Sequence, residues 1–163
     1  MQEQRRARIR EFTPGVSDAE ADRRFQVYLD AYVADWRIFD DVLPALDALR
    51  DHRLGVITNG QIEQQRSKMT RTGLAGKFEM MVVSEEVGVP KPEAPIFVEA
   101  CRRAGLPPWD CWYIGDRLAT DALAATDAGL RGVWLNRNPA VPSDPRVPTI
   151  RSLAELPALV RAA

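Results

Sequence analysis

Cys111-Trp-Tyr-Ile-Gly-Asp116-Arg-Leu-Ala-Thr-Asp121 is the stretch on which the fold of this chain turns. An apolar run that stops at Gly115-Asp116 has the pattern of a buried parallel strand delivering a carboxylate to its C-terminal end, and a second carboxylate, Asp121, follows. In an open α/β sheet, ligands bind outside the carboxyl ends of the strands, so Asp116 stands where a metal or phosphate is handled. A strand ending in Gly-Asp is equally an ordinary turn. The flanking sequence decides between the two.

Upstream, Leu54 to Thr58 and Met80 to Val83 read as strands, and residues 42–49, 61–72 and 96–104 read as helices, the last closed by Gly105. Downstream, a helix over 119–128 closed by Gly129 leads to a strand at 132–135. A Pro-rich passage from Pro139 to Pro148 then precedes a final helix capped by Ser152 and Glu155. Such alternation predicts an α/β fold with a parallel sheet wrapped by helices. Residues 2–12 predict a charged helix anchored by Ile9 and Phe12. Ser17 and Glu20 predict a capping box for an amphipathic helix over 18–37 whose stripe of Phe25, Tyr28, Tyr32 and Trp36 serves as packing surface.

The 163 residues suit one domain with a small accessory element, divided here as residues 1–38 and 39–163. The 22 basic and 23 acidic side chains nearly cancel, which argues against a nucleic-acid scaffold and supplies no polybasic surface for a membrane. Cys101 and Cys111 form no Cys-x-x-Cys and the chain has a single histidine, so neither a zinc site nor a disulfide framework is indicated. With no run of eighteen apolar residues and a charged N-terminus, the composition points to a cytoplasmic protein.

Three predicted strands end in reactive groups. Thr58-Asn59-Gly60 offers a hydroxyl and backbone amides at a strand-to-helix turn, suited to a phosphoryl oxygen, although a plain helix cap has the same composition. The loop Glu85 to Pro90 brings Lys91 to a helix start, where the macrodipole disfavours a cation, so Lys91 is expected to serve an anion. Asp116 and Asp121 complete the set, and magnesium takes one or two carboxylates together with waters and a substrate phosphate. Neither a G-x-x-x-x-G-K-[ST] loop nor a G-x-G-x-x-G turn occurs. His52, between Asp51 and Arg53 at a helix end, reads as a dipole partner.

The ordered set Gly-Val-Ile-Thr58-Asn-Gly, Gly-Val-Pro-Lys91-Pro-Glu and Tyr-Ile-Gly-Asp116-(four residues)-Asp121 resembles motifs two, three and four of the haloacid dehalogenase-like hydrolases. The resemblance implies a Rossmannoid three-layer α/β/α parallel sheet over residues 39–163, with residues 1–38 similar to the later helices of a helical cap. It implies that Thr58, Asn59, Gly60 and Lys91 bind phosphate, that Asp116 ligates Mg2+, and that Asp121 positions Lys91 or the metal waters. The Gly-Asp carboxylates resemble the phosphatase branch, which implies magnesium-dependent hydrolysis of a small phosphorylated metabolite, nucleotidase-like or sugar-phosphatase-like, through an aspartyl phosphate. A 2-haloacid dehalogenase is the alternative within the family, and a non-catalytic binding protein of the same fold is the alternative outside catalysis.

One motif of that family is missing. Its strand ending in Asp-x-Asp supplies the nucleophile and the general acid, and no Asp-x-Asp occurs anywhere in this sequence. The chain therefore reads as the C-terminal part of such a hydrolase, inactive as written. In the family the absent strand lies between those ending at Thr58 and Gly115, so the expectation is an open cleft there, or direct pairing of the two. An exposed edge of that kind also predicts marginal stability and self-association. A receiver-type signalling domain is disfavoured, because its acidic residues precede the Thr, whereas Asp116 follows Lys91.

Overall fold

The computed structural model describes residues 2–162. They form two compact units, one ending at Arg37 and the other beginning at Ile38.

In the first unit, α1 (Gln2–Phe12) lies against α2 (Asp18–Ala34). The Ser17 hydroxyl accepts from the Glu20 amide and starts α2, while Glu20 itself pairs with Arg23 and Arg24 and does not close the capping box. α2 also stops at Ala34, three residues short of the predicted end. One sequence expectation fails here and another holds only in part. Phe12 is 79 % exposed and anchors nothing. Of the aromatic stripe, Phe25 and Trp36 are half-buried while Tyr28 and Tyr32 are exposed, and successive rings meet with centroids 5.8–6.1 Å apart.

The second unit contains β1 (Gly55–Thr58), β2 (Met80–Val83), β3 (Trp112–Gly115), β4 (Arg131–Leu135) and β5 (Thr149–Ile150). Its helices are α3 (Val42–Ala48), α4 (Ile62–Arg71), α5 (Ser84–Val87), α6 (Ala94–Ala104), α7 (Ala124–Asp127) and α8 (Leu156–Arg161). All pairing is parallel, but the strands fall into two sheets. β1 pairs with β2, with Thr58 opposite Val83, and β3, β4 and β5 pair in that order, with Gly115 opposite Trp134. Of the two expected arrangements, the structure shows the open one: β1 and β3 are not paired.

Side-chain alternation along β3 builds one apolar core on each face. Tyr113 and Cys111 pack with Ile96, Phe97, Ala100 and Cys101 of α6 and Ala124 and Ala125 of α7. Trp112 and Ile114 pack with Leu49, Val133, Ile150 and Leu156. α6 is held by its apolar period and ends at Gly105, whose φ of +66° suits a residue without a side chain. α5 and β5 were not anticipated, being four and two residues long. The predicted helix over 119–128 begins as a π-helical turn, Leu118–Leu123, before continuing as α7.

Candidate functional site

Each predicted site residue stands at or beyond a strand's C-terminal end. Lys91, reached from β2 through α5, donates from Nζ to Asp121 Oδ1 at 2.6 Å and to the Tyr113 hydroxyl at 2.8 Å. Tyr113 in turn donates to the same Asp121 oxygen at 3.1 Å, and the other oxygen, Oδ2, accepts from the Arg117 amide at 3.1 Å. The side chains of Lys91 and Asp121 are 13 % and 4 % exposed, so the pair is withdrawn from water and supported by further hydrogen bonds, the condition under which a buried ion pair is tolerated. The anion expected beside Lys91 is therefore Asp121 itself.

Two backbone features place Asp121. The π-helical turn carries hydrogen bonds from the Asp121 and Ala122 amides to the Arg117 carbonyl at 2.9 and 3.4 Å. Gly115 then lets Asp121 lie flat on the end of β3, since a Cβ there would meet Asp121 Cβ at 2.3 Å. Gly132 does the same one strand over, where a Cβ would fall 2.1 Å from the Ala122 carbonyl oxygen.

Asn59 is a clasp. Its Oδ1 accepts from the Lys91 amide at 2.8 Å and its Nδ2 donates to the Lys91 carbonyl at 3.0 Å, which ties the turn after β1 to the loop after β2. The Gly60 amide, expected to face phosphate, instead donates to Ser84 Oγ at 2.9 Å. The Thr58 hydroxyl donates only at 3.3 Å, to the Asn59 carbonyl, and is the more available donor of that turn.

Asp116 differs from Asp121. Its carbonyl accepts from the Trp134 indole at 3.1 Å, while its exposed carboxylate takes part in no hydrogen bond or ion pair among the described residues. No hydrogen bond joins it to Thr58, which ends a strand of the other sheet. Among the described residues no group of three or more His, Cys, Asp or Glu side chains could enclose a metal. A single free carboxylate at a strand end suits a hard cation that keeps most of its water, and does not suit an all-protein cage.

Tyr113 was not among the sequence candidates. Its ring packs edge-on against Phe97 at 5.0 Å, which is what a core tyrosine does, but its hydroxyl joins the Lys91–Asp121 pair. Burial and the adjacent Asp121 charge push its pKa well above the ordinary phenol range, so it stays a donor. The available signal was a polar-tipped residue in an otherwise apolar strand, since a buried tyrosine hydroxyl finds a partner.

Known proteins carry the same architecture. Glyceraldehyde 3-phosphate phosphatase of Methanopyrus kandleri is 39 % identical over 121 residues, covering 73 % of this chain and 52 % of that protein. Pyrimidine 5'-nucleotidase YjjG of Escherichia coli is 39 % identical over 119 residues, covering 71 % of this chain and 53 % of that protein. The chain thus spans about half the length of the curated relatives it matches. Among solved structures, the 2-haloacid dehalogenase from Pseudomonas syringae pv. Tomato DC3000 superposes with a TM-score of 0.75 at 30 % identity, covering 99 % of this chain and 72 % of that one. The match to a family extends over residues 2–129, and by it the chain belongs to the haloacid dehalogenase-like hydrolases.

Proposed function

We propose that this chain carries the phosphate-handling part of a magnesium-dependent phosphate monoester hydrolase, and that as written it lacks turnover. The observation that supports this reading is the Lys91–Asp121–Tyr113 cluster beyond the strand ends, on the same strand that ends in the unengaged carboxylate of Asp116. Asp116 would hold the metal ion, which when bound supplies positive charge to a phosphoryl oxygen. Thr58 would donate its hydroxyl to another such oxygen, with the Asn59 amide beside it. Gly60, its amide already given to Ser84, would shape the turn and not bind phosphate directly. Lys91, fixed in place by Asp121 and Tyr113, would neutralise developing negative charge. Residues 1–38 would be a partial helical cap, and the setting a cytoplasm containing small phosphorylated metabolites.

A second reading, a 2-haloacid dehalogenase, is favoured by the likeness to the Pseudomonas syringae enzyme. The phosphatase names of the curated relatives and the carboxylate at Asp116 weigh against it. A non-catalytic binding role is compatible with the absence of Asp-x-Asp, which removes nucleophile and general acid together.

The purified chain is expected to bind Mg2+ weakly by calorimetry, with the heat lost in Asp116→Ala, and to release no p-nitrophenol from p-nitrophenyl phosphate. Metal-dependent release that disappears in Asp116→Ala would overturn the inactivity. Metal-independent chloride release from 2-chloropropionate would move the protein to the other branch.

A further inference from the structure

Trp134 lies on β4 directly opposite Gly115, the last residue of β3, and its side chain turns to the face away from Val133. There the indole packs with Ala122 and Val147, with Leu118 and Leu123 beside it, and the residue is 7 % exposed. Its one polar atom, Nε1, donates to the Asp116 carbonyl at 3.1 Å. The amide across the same peptide bond, that of Arg117, donates to Asp121 Oδ2, also at 3.1 Å. Both polar groups of the Asp116–Arg117 peptide are thus taken, one by a buried side chain of β4 and the other by a buried side chain of the π-helical turn.

We infer that Trp134 is a positioning residue for the Asp116 carboxylate: its indole and Asp121 hold the Asp116–Arg117 peptide from its two sides, and so set the direction in which the Asp116 side chain leaves the backbone. The inference rests on the reading of Asp116 as the magnesium ligand. Because a peptide unit is planar, gripping its oxygen and its N–H fixes the orientation of the whole plane. On the preceding side Gly115 is held in the ladder against Trp134, and on the following side Leu118 is packed in the cluster around the indole. Backbone rotation at Asp116 is therefore arrested from both directions, which leaves the carboxylate only its own side-chain torsions. A ligand held in its productive direction before the cation arrives spends less of the binding free energy on ordering, and partners of this kind are worth about 10- to 100-fold in metal affinity.

The plain alternative is packing. A buried indole N–H needs an acceptor wherever it sits, and the Asp116 carbonyl would then be no more than the nearest one. Under packing alone, loss of the N–H disturbs β4 generally or disturbs nothing. Under positioning, it frees one peptide.

The test is Trp134→Phe, which keeps an aromatic ring in the apolar cluster and removes the donor. Without metal, hydrogen exchange of the Arg117 amide, followed by NMR, is expected to quicken about tenfold or more as the freed peptide lets go of Asp121, while the amides of Val133 and Leu135 keep their wild-type rates. The variant is also expected to bind Mg2+ about tenfold more weakly by calorimetry. In the wild type, the Trp134 indole N–H is the one signal among four tryptophans that the variant lacks, and it is expected to shift on addition of Mg2+ but not in Asp116→Asn. Unchanged exchange at Arg117, quickening spread evenly along 131–135, or undiminished Mg2+ affinity in the variant would each overturn positioning in favour of packing. Should Trp134→Phe fail to fold, indole signals that stay still in a wild type that binds Mg2+, or that shift equally in Asp116→Asn, would overturn it. A wild type that binds no Mg2+ would instead remove the metal reading of Asp116, and the metal-free exchange at Arg117 would still decide the role of Trp134.

Discussion

α1 and α2 bury one residue between them among those described, Ala21, and are joined instead by charge: Arg6 reaches Asp22 at 2.6 Å and Asp18 at 2.9 Å, and Arg10 also pairs with Asp18. From Ile38 onward the balance is reversed, with Val82, Ile96, Phe97, Ala125 and Val133 fully buried and two apolar cores packed on opposite faces of β3. Exposed ion pairs are screened by salt and contribute little each, whereas buried apolar area contributes about 25 cal/mol per Å2 and is indifferent to salt. The same chain therefore contains one unit tuned by ionic strength and one tuned by packing, and substitutions can separate them.

The largest effect belongs to the core. Phe97→Ala removes a ring that is 0 % exposed and stacked edge-on against Tyr113, and is expected to cost about 3–5 kcal/mol in urea unfolding, equally at low and high salt. A cost under about 1 kcal/mol would show that the open cleft between β1 and β3 lets the core collapse around the deletion and that packing there is loose.

An intermediate effect is expected at Asp41, the exception that sharpens the contrast, because it is an ionic contact built into the packed unit. Its carboxylate accepts two bonds from Arg137 at 2.8 and 2.9 Å, one from the Ser152 hydroxyl at 2.7 Å and one from the Leu153 amide at 2.9 Å. Arg137 above all, then Ser152 and Leu153, hold its pKa far below the ordinary value of 3.8. A carboxylate depressed on folding contributes stability that is fully present above its unfolded pKa and is lost as pH falls toward the folded one. Stability should therefore decline below about pH 4. Asp41→Asn should cost about 1–3 kcal/mol at pH 7 and flatten that decline when melts are compared across pH.

The smallest effect belongs to the helical unit. Arg6→Ala should lower the helical melting transition by only about 1–2 °C at low ionic strength, and the difference should vanish in about 1 M salt, where the Debye length is near 3 Å. An equal shift at both salt concentrations would mean that Arg6 acts through its packed stem and not its charge.

The sequence made the packed unit far more legible than the helical one. Apolar runs bounded by Gly and Pro located β1 to β4, and the capping box of Ser152 and Glu155 started the last helix where expected, because these signals are local. The family resemblance implies that Asp121 positions either Lys91 or the metal waters, and the structure shows the contact with Lys91. What could not be read depends on distant contacts. β5 is two residues within a Pro-rich stretch and forms because β4 offers it an edge. Ser84 is an unremarkable hydroxyl until the turn after β1 arrives beside it and gives it the Gly60 amide. Tyr113 reads as core because it is core, and its second role exists only once Lys91, far along the chain, reaches its hydroxyl. The aromatic stripe of α2 was legible only in part: helical spacing shows which residues share a face and not how fully each is covered, so Phe25 and Trp36 are half-buried while Tyr28 and Tyr32 are exposed.

The Lys91–Asp121 contact has one more consequence, mechanical in kind. Lys91 travels with β1 and β2 through the Asn59 clasp, and Asp121 is pressed onto the end of β3, so this single ion pair spans the two halves of the divided sheet at their C-terminal ends. The opposite end of the open cleft between β1 and β3, bordered by His52, Arg53 and Asp110, has no such crossbar among the described residues. The divided sheet is therefore braced at one end only, and any splaying of its two halves at the charged cluster must first break a buried ion pair.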